Sequence, residues 1–414
     1  MSHEQQPQPL GLEPSFGFGD RLGLATPGHL TALLAEGGPI RPIFAQQSIR
    51  EMSRTRRTPE QVMHSAREAL TVAGYDGVWG ADADHLKTPA DVDVTAAAGF
   101  VFFTIDPSEH VDPAADTDDA TTLEAKLNAV RELATWVDAY IGRRVELDGA
   151  TIEFDRPTVV RAAVKYGRAI AHAIELGKHI AAVVAGRGGQ YEIELSVDET
   201  PHPTSLAEHF IVAEQCLASG LKLVSLAPRY VGQFEKGIDY KGDLAAFAAS
   251  LAQHAAVARQ LGPYKLSLHS GSDKLAIYEA FARTTRGQFH VKTAGTSYLE
   301  ALRAVLCHDA GVFRQVVNLA RERFEADRAT YHISARLARV PAVAEIADEP
   351  TLERIYLNED DGRQILHVTF GSVLTDAVLG PAIHQLLREH AATHREVLAR
   401  HFGRHLAALV RGLR

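Results

Sequence analysis

The stretch Lys265-Leu-Ser-Leu-His269 contains the alternation that decides the fold of this chain. Side chains of a β-strand alternate between its two faces, so Leu266 and Leu268 point one way while Lys265, Ser267 and His269 point the other. A strand with an apolar outer face and a charged inner face is typical of a barrel covered by helices. Its interior must then hold something that binds carboxylates, imidazoles and lysines.

Seven further short apolar runs end in polar residues in the same way, and each is predicted to be a strand. The complete predicted set is Arg41–Gln47, Gly77–His85, Phe100–Ser108, Tyr191–Glu199, Leu221–Arg229, Tyr264–Ser272, Gln288–Gly295 and Ile365–Val373. Helical segments follow most of them. This alternation predicts an α/β fold, a (β/α)8 TIM-type barrel with helical insertions and a helical C-terminal tail.

The chain is predicted to have three parts. Residues 1–15 should form a flexible lead-in, residues 16–375 the barrel catalytic domain, and residues 376–414 C-terminal helices packed on the barrel. An insertion at 112–190 is predicted to contain a charged helix, a small hairpin and a second helix, which are Thr121–Tyr140, Arg144–Glu153 and Thr158–Ile174. The glycine-rich stretch Phe16–Gly23 is predicted to be a loop. It resembles a phosphate-binding loop only weakly, because no strand is predicted before it.

The composition limits the partners of this 414-residue chain. Its formal net charge of −9 disfavours a nucleic-acid or anionic-membrane partner. It has no run of about 18 apolar residues, so no membrane span is predicted. Cys216 and Cys307 lie in helix-like apolar stretches and are predicted to be buried thiols, which suits a cytoplasmic location. The C-terminal helices are candidates for contacts between copies of the chain, so a homo-oligomer is possible.

Ionisable residues concentrate at the carboxyl ends of the predicted strands, where an eight-stranded βα barrel has its site. Gly80-Ala-Asp-Ala-Asp-His85 and Leu268-His-Ser-Gly-Ser-Asp-Lys274 are two examples. Burying this many ionisable groups is costly unless a metal, a substrate or mutual pairing compensates them. The pattern therefore favours an enzyme over a purely structural protein.

Three histidines are candidate ligands of a divalent metal ion, namely His85, His269 and His290. A single histidine in a barrel is more often a hydrogen-bonded core residue, but three near carboxylates at one mouth favour a metal. Asp106 or Asp198 is expected to orient the imidazoles. Such a mixed nitrogen and oxygen site suits Zn, Mn, Ni or Co without choosing between them.

Candidate acid and base groups lie on the same inner faces. Asp82 and Asp84 point the same way, and neighbouring carboxylates tend to split their pKa values. Glu194 is predicted to point inward, either as a proton donor whose pKa burial raises or as a buried partner of Lys265 or Lys292.

Further polar residues at the strand ends are candidates for binding a substrate, and these are Gln47, Asp198, Arg229, Ser270 and Lys292. Arg229 and Lys292 would clamp a carboxylate or a sugar oxygen. Either would serve equally well as a counter-ion for the acidic groups. His367 is also predicted to face inward, lower in its strand, as a core residue.

Long strings of this sequence resemble the tagaturonate epimerase family. They are Ser15–Gly23, Pro42–Glu51, Gly80–His85, Phe103–Val111, Ser196–Thr200, Glu235–Leu244, Leu268–Lys274 and His290–Ala301. The resemblance implies a metal-dependent enzyme that interconverts tagaturonate and fructuronate at C4, with some relatives acting on tagatose and fructose. It also implies Asp84 and Glu194 as the acid/base pair and His85 and His269 as metal ligands. His290 is added as a third ligand on strand-face grounds.

The chemistry of such a substrate favours one mechanism. In a 2-ketohexose the C3 hydrogen is acidic because it lies next to the carbonyl, whereas the C4 hydrogen is not. A retro-aldol cleavage of C3–C4 is therefore expected, with the enediolate stabilised by the metal ion and the bond re-formed on the other face. Two alternatives stay open, namely a sugar isomerase or 3-epimerase that works by proton transfer next to the carbonyl, and a non-catalytic sugar-binding protein.

Overall fold

A closed barrel of eight parallel strands forms the centre of the molecule, in a computed structural model that describes residues 6–414. The barrel strands are β1 (Ser15–Gly19), β2 (Arg41–Ser48), β3 (Gly80–Leu86), β4 (Phe102–Ile105), β7 (Glu192–Val197), β8 (Leu223–Pro228), β9 (Lys265–Leu268) and β10 (Phe289–Thr293). They follow the order β1-β10-β9-β8-β7-β4-β3-β2 around the barrel. This confirms the predicted (β/α)8 class.

The prediction was wrong about the eighth strand. Ile365–Val373 lies in two helices, α14 (Asp360–Val368) and α15 (Phe370–Leu374), and the barrel is closed by β1 instead. The misassigned segment is buried on nearly all sides, and a helix that is buried all round lacks the polar face that would reveal its period.

The missed strand β1 has glycines at its inward positions. A β-carbon added to Gly17 would lie 2.0 Å from Gln46 Oε1, and one added to Gly19 would lie 2.5 Å from the Thr293 carbonyl. Only glycine leaves room for these approaches. Because Gly17 and Gly19, two of the three inward positions, have no side chain, the sequence shows little apolar and polar alternation there, and the stretch was interpreted as a loop.

Helices cover the outside of the barrel. Their bounds are α1 Thr26–Glu36, α2 Ile49–Thr55, α3 Pro59–Val72, α4 Pro89–Ala98, α5 Ala120–Val130, α6 Val137–Tyr140, α7 Arg156–Ala185, α8 Leu206–Ala218, α9 Leu244–Leu261, α10 Leu275–Thr284, α11 Thr296–His308, α12 Ala310–Asp327, α13 Glu349–Glu353, α16 Leu379–Glu389 and α17 Ala391–Leu413, in addition to α14 and α15. Helices α2, α3, α4 and α8 begin with capping boxes. Among the described residues, no helix has the length and apolar character that a membrane crossing requires.

The insertion between β4 and β7 contains the predicted hairpin, β5 (Arg144–Leu147) and β6 (Ala150–Glu153). The predicted charged helix is divided into α5 and α6, and the second helix, α7, extends to Ala185. Cys216 is buried as expected, but Cys307 is exposed because it lies on the outer side of α11.

Residues 6–14, which belong to the predicted flexible lead-in, include several that pack under the barrel. Residues 1–5 lie outside the described residues. Leu10 is buried, and the amides of Leu10 and Gly11 donate to the Glu192 carboxylate at 3.0 and 2.8 Å. The Gln8 amide donates to the Trp79 carbonyl at 2.8 Å. This segment is held against the amino-terminal end of the barrel by the buried Leu10 side chain and by its hydrogen bonds to the Glu192 carboxylate.

The C-terminal helices pack on the barrel side that carries β1. Helix α17 lies against α1 and α10. The Phe402 ring lies 5.3 Å from the Phe18 ring and 6.1 Å from the Phe16 ring, both on β1. Helices α11, α12 and α14–α16 share a second apolar core beside the barrel.

Candidate active site

A small, narrow cavity opens at the carboxyl ends of the strands. It is lined by Gln46, Asp84, His85, Lys236, Gly237, His269, Ser270, Ser272, Lys292, Ala294, Gly295 and His367. Most of these side chains are polar or ionisable. The cavity therefore suits a small, highly polar ligand.

Lys292 on β10 is the centre of a buried ionic cluster under this cavity. Its Nζ lies 2.7 Å from Asp82 Oδ2, 2.7 Å from Asp84 Oδ1 and 2.9 Å from Glu194 Oε1. Nζ also donates to the Thr104 hydroxyl. One ammonium thus compensates three carboxylates, which supports the counter-ion role for Lys292 that the sequence left open.

The three carboxylates differ in their pKa values. Burial raises the pKa of Asp82 to about 7, and repulsion by Asp84 and Glu194 adds to this although Lys292 opposes it. Burial also acts on Asp84, but His85, Lys292 and His269 outweigh it and lower its pKa. The pKa values of Asp82 and Asp84 thus shift in opposite directions, which agrees with the predicted split.

Of the two roles predicted for Glu194, its contact with Lys292 favours the buried partner over a proton donor with a raised pKa. Burial disfavours its charged form, but Lys292 and His269 outweigh burial and hold the pKa well below the ordinary value. Its Oε1 lies 2.6 Å from His269 Nε2, while Oε2 is buried with no hydrogen-bond partner among the described residues. Glu194 is therefore ionised, as a proton acceptor must be.

His85 and His269 face each other across the mouth of the barrel. Their ring centroids are 5.2 Å apart with planes at 78°. His85 has a left-handed backbone, with φ of 53°, and its Nδ1 lies 3.2 Å from Asp106 Oδ2. Strained backbone of this kind concentrates at functional sites.

His269 follows β9 directly, and its Nδ1 lies 3.2 Å from Asp198 Oδ1. Burial lowers the pKa of both facing imidazoles, but carboxylates outweigh it. Asp84 and Asp106 raise the pKa of His85 to about 9, while Asp198 and Glu194 raise that of His269 to about 10. Both rings are oriented by carboxylates, as expected for the two predicted metal ligands.

These residues fit a divalent cation. Two facing imidazoles flanked by carboxylates provide the mixed nitrogen and oxygen donors that first-row metals take. One donor atom from each of His85, Asp106 and Glu199 lies within 4.8 Å of the others, which is a spacing that a metal ion can bridge. The Asp198 carboxylate offers a further oxygen beside His269.

His290 is not brought into the cavity with the other two histidines. It pairs in register with Ser267, two residues before His269 on β9, so it lies one layer deeper in the barrel. Its Nδ1 lies 2.9 Å from Ser15 Oγ, and its ring packs 5.2 Å from the Phe102 ring. Burial holds its pKa well below the ordinary value. Alternation along β10 indicated the correct face of His290 but not its depth.

The predicted substrate-binding residues are divided by the structure. Ser270 and Lys292 line the cavity, and Asp198 lies against His269. Gln47 is buried, its side chain has no hydrogen-bond partner among residues 6–414, and it does not line the cavity. Arg229 is half-buried, with its guanidinium carbon 5.9 Å from the Phe234 ring, and it does not line the cavity either.

Several lining residues were missed as site residues, among them Gln46, Lys236 and His367. Gln46 lines the cavity because the register between β2 and β3 shifts at Ile43 and Ala45, an irregularity that strict alternation cannot predict. Lys236 lies in a loop after β8, inside one of the strings that carried the family resemblance. His367 lines the cavity from α14 and not from a strand.

The fold and this site together define a (β/α)8-barrel protein with a polar, metal-suited cavity at the carboxyl ends of its strands. The family profile of UxaE, tagaturonate epimerase, matches residues 3–409. The chain belongs to the tagaturonate epimerase family.

Individual relatives agree with this assignment. The chain is 42% identical over 405 residues to the tagaturonate/fructuronate epimerase of Thermotoga maritima, covering 98% of this chain and 82% of that protein. It is also similar to the crystal structure of fructuronate-tagaturonate epimerase UxaE from Cohnella laeviribosi, solved with one glycerol. That match has a TM-score of 0.91 and 36% identity, and it covers 98% of this chain and 83% of the other. The native crystal structure of the same enzyme matches with the same TM-score and identity.

Proposed function

We propose that this protein is a metal-dependent epimerase that interconverts tagaturonate and fructuronate by inverting C4. The observation that carries the proposal is the pair of facing imidazoles, His85 and His269, beside the ionised carboxylates Asp84 and Glu194. The names of the relatives at 42% and 36% identity support this choice of substrates. The two free cysteines, Cys216 and Cys307, suit the cytoplasmic location that we propose with it.

The metal would be held by His85 and His269, with Asp198 or the Asp106 and Glu199 pair providing oxygens. A bound divalent ion would supply positive charge where negative charge develops on substrate oxygens. His290 is left out of this set because it lies a layer deeper and bonds to Ser15.

The residues around Lys292 suit a retro-aldol route. The C4 hydrogen is not acidic, so inversion is easier if C3–C4 breaks and re-forms on the other face. One carboxylate takes the C4 hydroxyl proton as the bond breaks and returns it when the bond forms. Asp84 and Glu194 are both ionised and both contact Lys292 Nζ, so a proton arriving on one leaves the lysine charge paired with the other.

The test is an NMR assay with tagaturonate and fructuronate, with and without a chelator. Turnover should be abolished by Asp84→Asn or Glu194→Gln, whereas Glu68→Gln on the exposed outer face of α3 should retain it. Full activity of either site variant would contradict the assigned roles. Binding of the sugar without any product would support the sugar-binding alternative.

Solvent isotope distinguishes the two chemical routes. In deuterium oxide the retro-aldol route leaves C4 without deuterium, because its hydrogen stays on carbon throughout. Deuterium at C4 would refute this route, and deuterium at C3 would support the 3-epimerase alternative. Each product should therefore be examined for deuterium at both carbons.

A further inference from the structure

Lys236 is a cation that lines the cavity without an anionic partner. Its Nζ donates to the Ser270 hydroxyl at 2.5 Å, and no carboxylate lies within ion-pair distance of it in the part of the chain that the structure describes. Lys292, the other lysine of the cavity, contacts three carboxylates. Lys292 is therefore neutralised by carboxylates of the protein, whereas the charge of Lys236 is available to a ligand.

The loop that presents Lys236 is held rigidly from two sides. Lys274 Nζ donates to the Glu235 carbonyl at 2.8 Å and also to the Ile238 carbonyl. From α14, Arg363 Nε donates to the Gly237 carbonyl at 2.8 Å. These bonds flank Lys236 closely, so its backbone is fixed before any ligand arrives. A lysine on a fixed backbone has less conformational freedom to lose when it binds an anion.

His367 adds an unsatisfied polar atom to the same wall. It is 2% exposed, and its Nδ1 has no hydrogen-bond partner among the described residues. A β-carbon on Gly237 would lie 3.1 Å from its ring, and one on Gly295 would lie 1.8 Å from its Nε2, so both glycines pack closely against it. A buried polar atom without a partner in a cavity wall indicates a ligand group that completes it.

The charges acting on His367 are mainly positive, whereas Lys236 lies within range of one arginine and three carboxylates. Burial is the main cause that holds the pKa of His367 well below its ordinary value, and Arg21, Lys236 and Arg363 act in the same direction. Burial and then Arg50 lower the pKa of Lys236, while the carboxylates of Glu199, Asp198 and Glu51 oppose them. A neutral donor beside an unpaired ammonium is suited to bind an anion.

We infer that Lys236, with His367 beside it, binds the C6 carboxylate of the substrate and so makes the site prefer keto-uronates over neutral ketoses. The inference rests on the proposed function, and it assigns the two ends of the substrate to different walls. The carbonyl end lies with His85 and His269, and the acid end lies with Lys236. Arg229 is the rival cation, but it does not line the cavity.

The experiment compares the equilibrium binding of tagaturonate and tagatose by calorimetry, each sugar first brought to its epimer equilibrium, and measures turnover separately. Lys236→Met should lower the ratio of the two affinities by about 100-fold, as loss of one partner of a buried charge pair does, and Lys236→Arg should retain most of the preference. The matched control is Lys241→Met in the same loop, an exposed lysine that pairs with Asp360 and should keep the wild-type ratio.

The outcomes separate the inference from the proposed function. An unchanged ratio in a folded Lys236→Met protein would overturn the inference even if the wild type epimerises tagaturonate. If Arg229→Met lowers the affinity ratio and Lys236→Met does not, the substrate carboxylate binds to Arg229 and the inference is wrong. A wild type that prefers tagaturonate in binding through Lys236 but gives no product would support the inference and refute the proposed epimerase.

Discussion

Replacing Lys292 by methionine should destabilise the protein and abolish its activity. The side chain is 4% exposed and contacts three carboxylates, Asp82, Asp84 and Glu194, within 2.9 Å. Removing one partner of a buried ion pair costs about 3–5 kcal/mol, because it leaves charge buried without compensation. With an unfolding entropy of about 2.1 cal/mol/K per residue, this loss corresponds to a melting temperature about 3–6 °C lower for a chain of this length.

The pH dependence distinguishes this cause from lost packing. Without the lysine, the folded-state pKa values of Asp84 and Glu194 rise, so the folded protein binds protons that the wild type does not. Stability of Lys292→Met should therefore recover, relative to wild type, as the pH falls from about 8 to about 5.5. The double variant Lys292→Met with Asp82→Asn should recover part of the stability at pH 8 and stay inactive.

Melting curves followed by circular dichroism, with chelator present throughout, provide the assay. The matched control is Lys265→Met, which also removes a buried barrel lysine but one that bonds to Ser15 Oγ at 3.0 Å and has no ion pair among the described residues. It should lose less stability and show no recovery at acid pH. A Lys292→Met protein that melts within about 1 °C of wild type at pH 8, or whose loss is the same at both pH values, would refute the reasoning.

Three further predictions follow from other parts of the molecule. Burial lowers the pKa of His254 to about 4, below the unfolded value near 6.5. The free energy of unfolding therefore falls as the pH drops from about 6.5 toward 4, by about 2 kcal/mol at pH 5. Urea unfolding of His254→Gln should show a smaller loss of stability over the same pH range. His269→Ala should lower metal affinity at least about 100-fold by equilibrium dialysis, with the exposed His308→Ala as control, and retained metal would contradict the ligand role. Gly17→Ala should cost about 1–3 kcal/mol in urea unfolding and reduce turnover, because its methyl group would displace Gln46; unchanged stability would show that β1 accommodates a side chain.

The fold was predictable to the extent that strand side chains reveal their environment. Seven barrel strands have polar residues on their inner faces and apolar residues outside, and these were found. The eighth, β1, has Gly17 and Gly19 on its inner face, and glycine has no side chain whose polarity could reveal the environment of the strand. The segment Ile365–Val373 imitated a strand because it is buried on nearly all sides as a helix.

The site residues at strand ends could be predicted from the sequence, whereas those in the loops that connect strands and helices could not. Asp84, His85, Glu194 and His269 come from three strands, and their convergence follows from the barrel rule alone. The depth of His290 was missed because alternation gives a face and not a layer. Lys236 was missed because only tertiary contacts determine which loop side chains reach a cavity.

The position of β1 has a consequence for how this chain reaches its native state. Ser15 bonds to His290, a residue 275 positions later, and β1 is the strand between β10 and β2. β1 is therefore synthesised long before β10 and is paired on both edges only after β10 has been made. Contacts this distant in sequence slow folding, so barrel closure at this seam should be a late event. Until then, Phe16 and Phe18 also lack their partner Phe402 on the final helix, which makes the amino-terminal strand the segment most exposed to misassociation during synthesis.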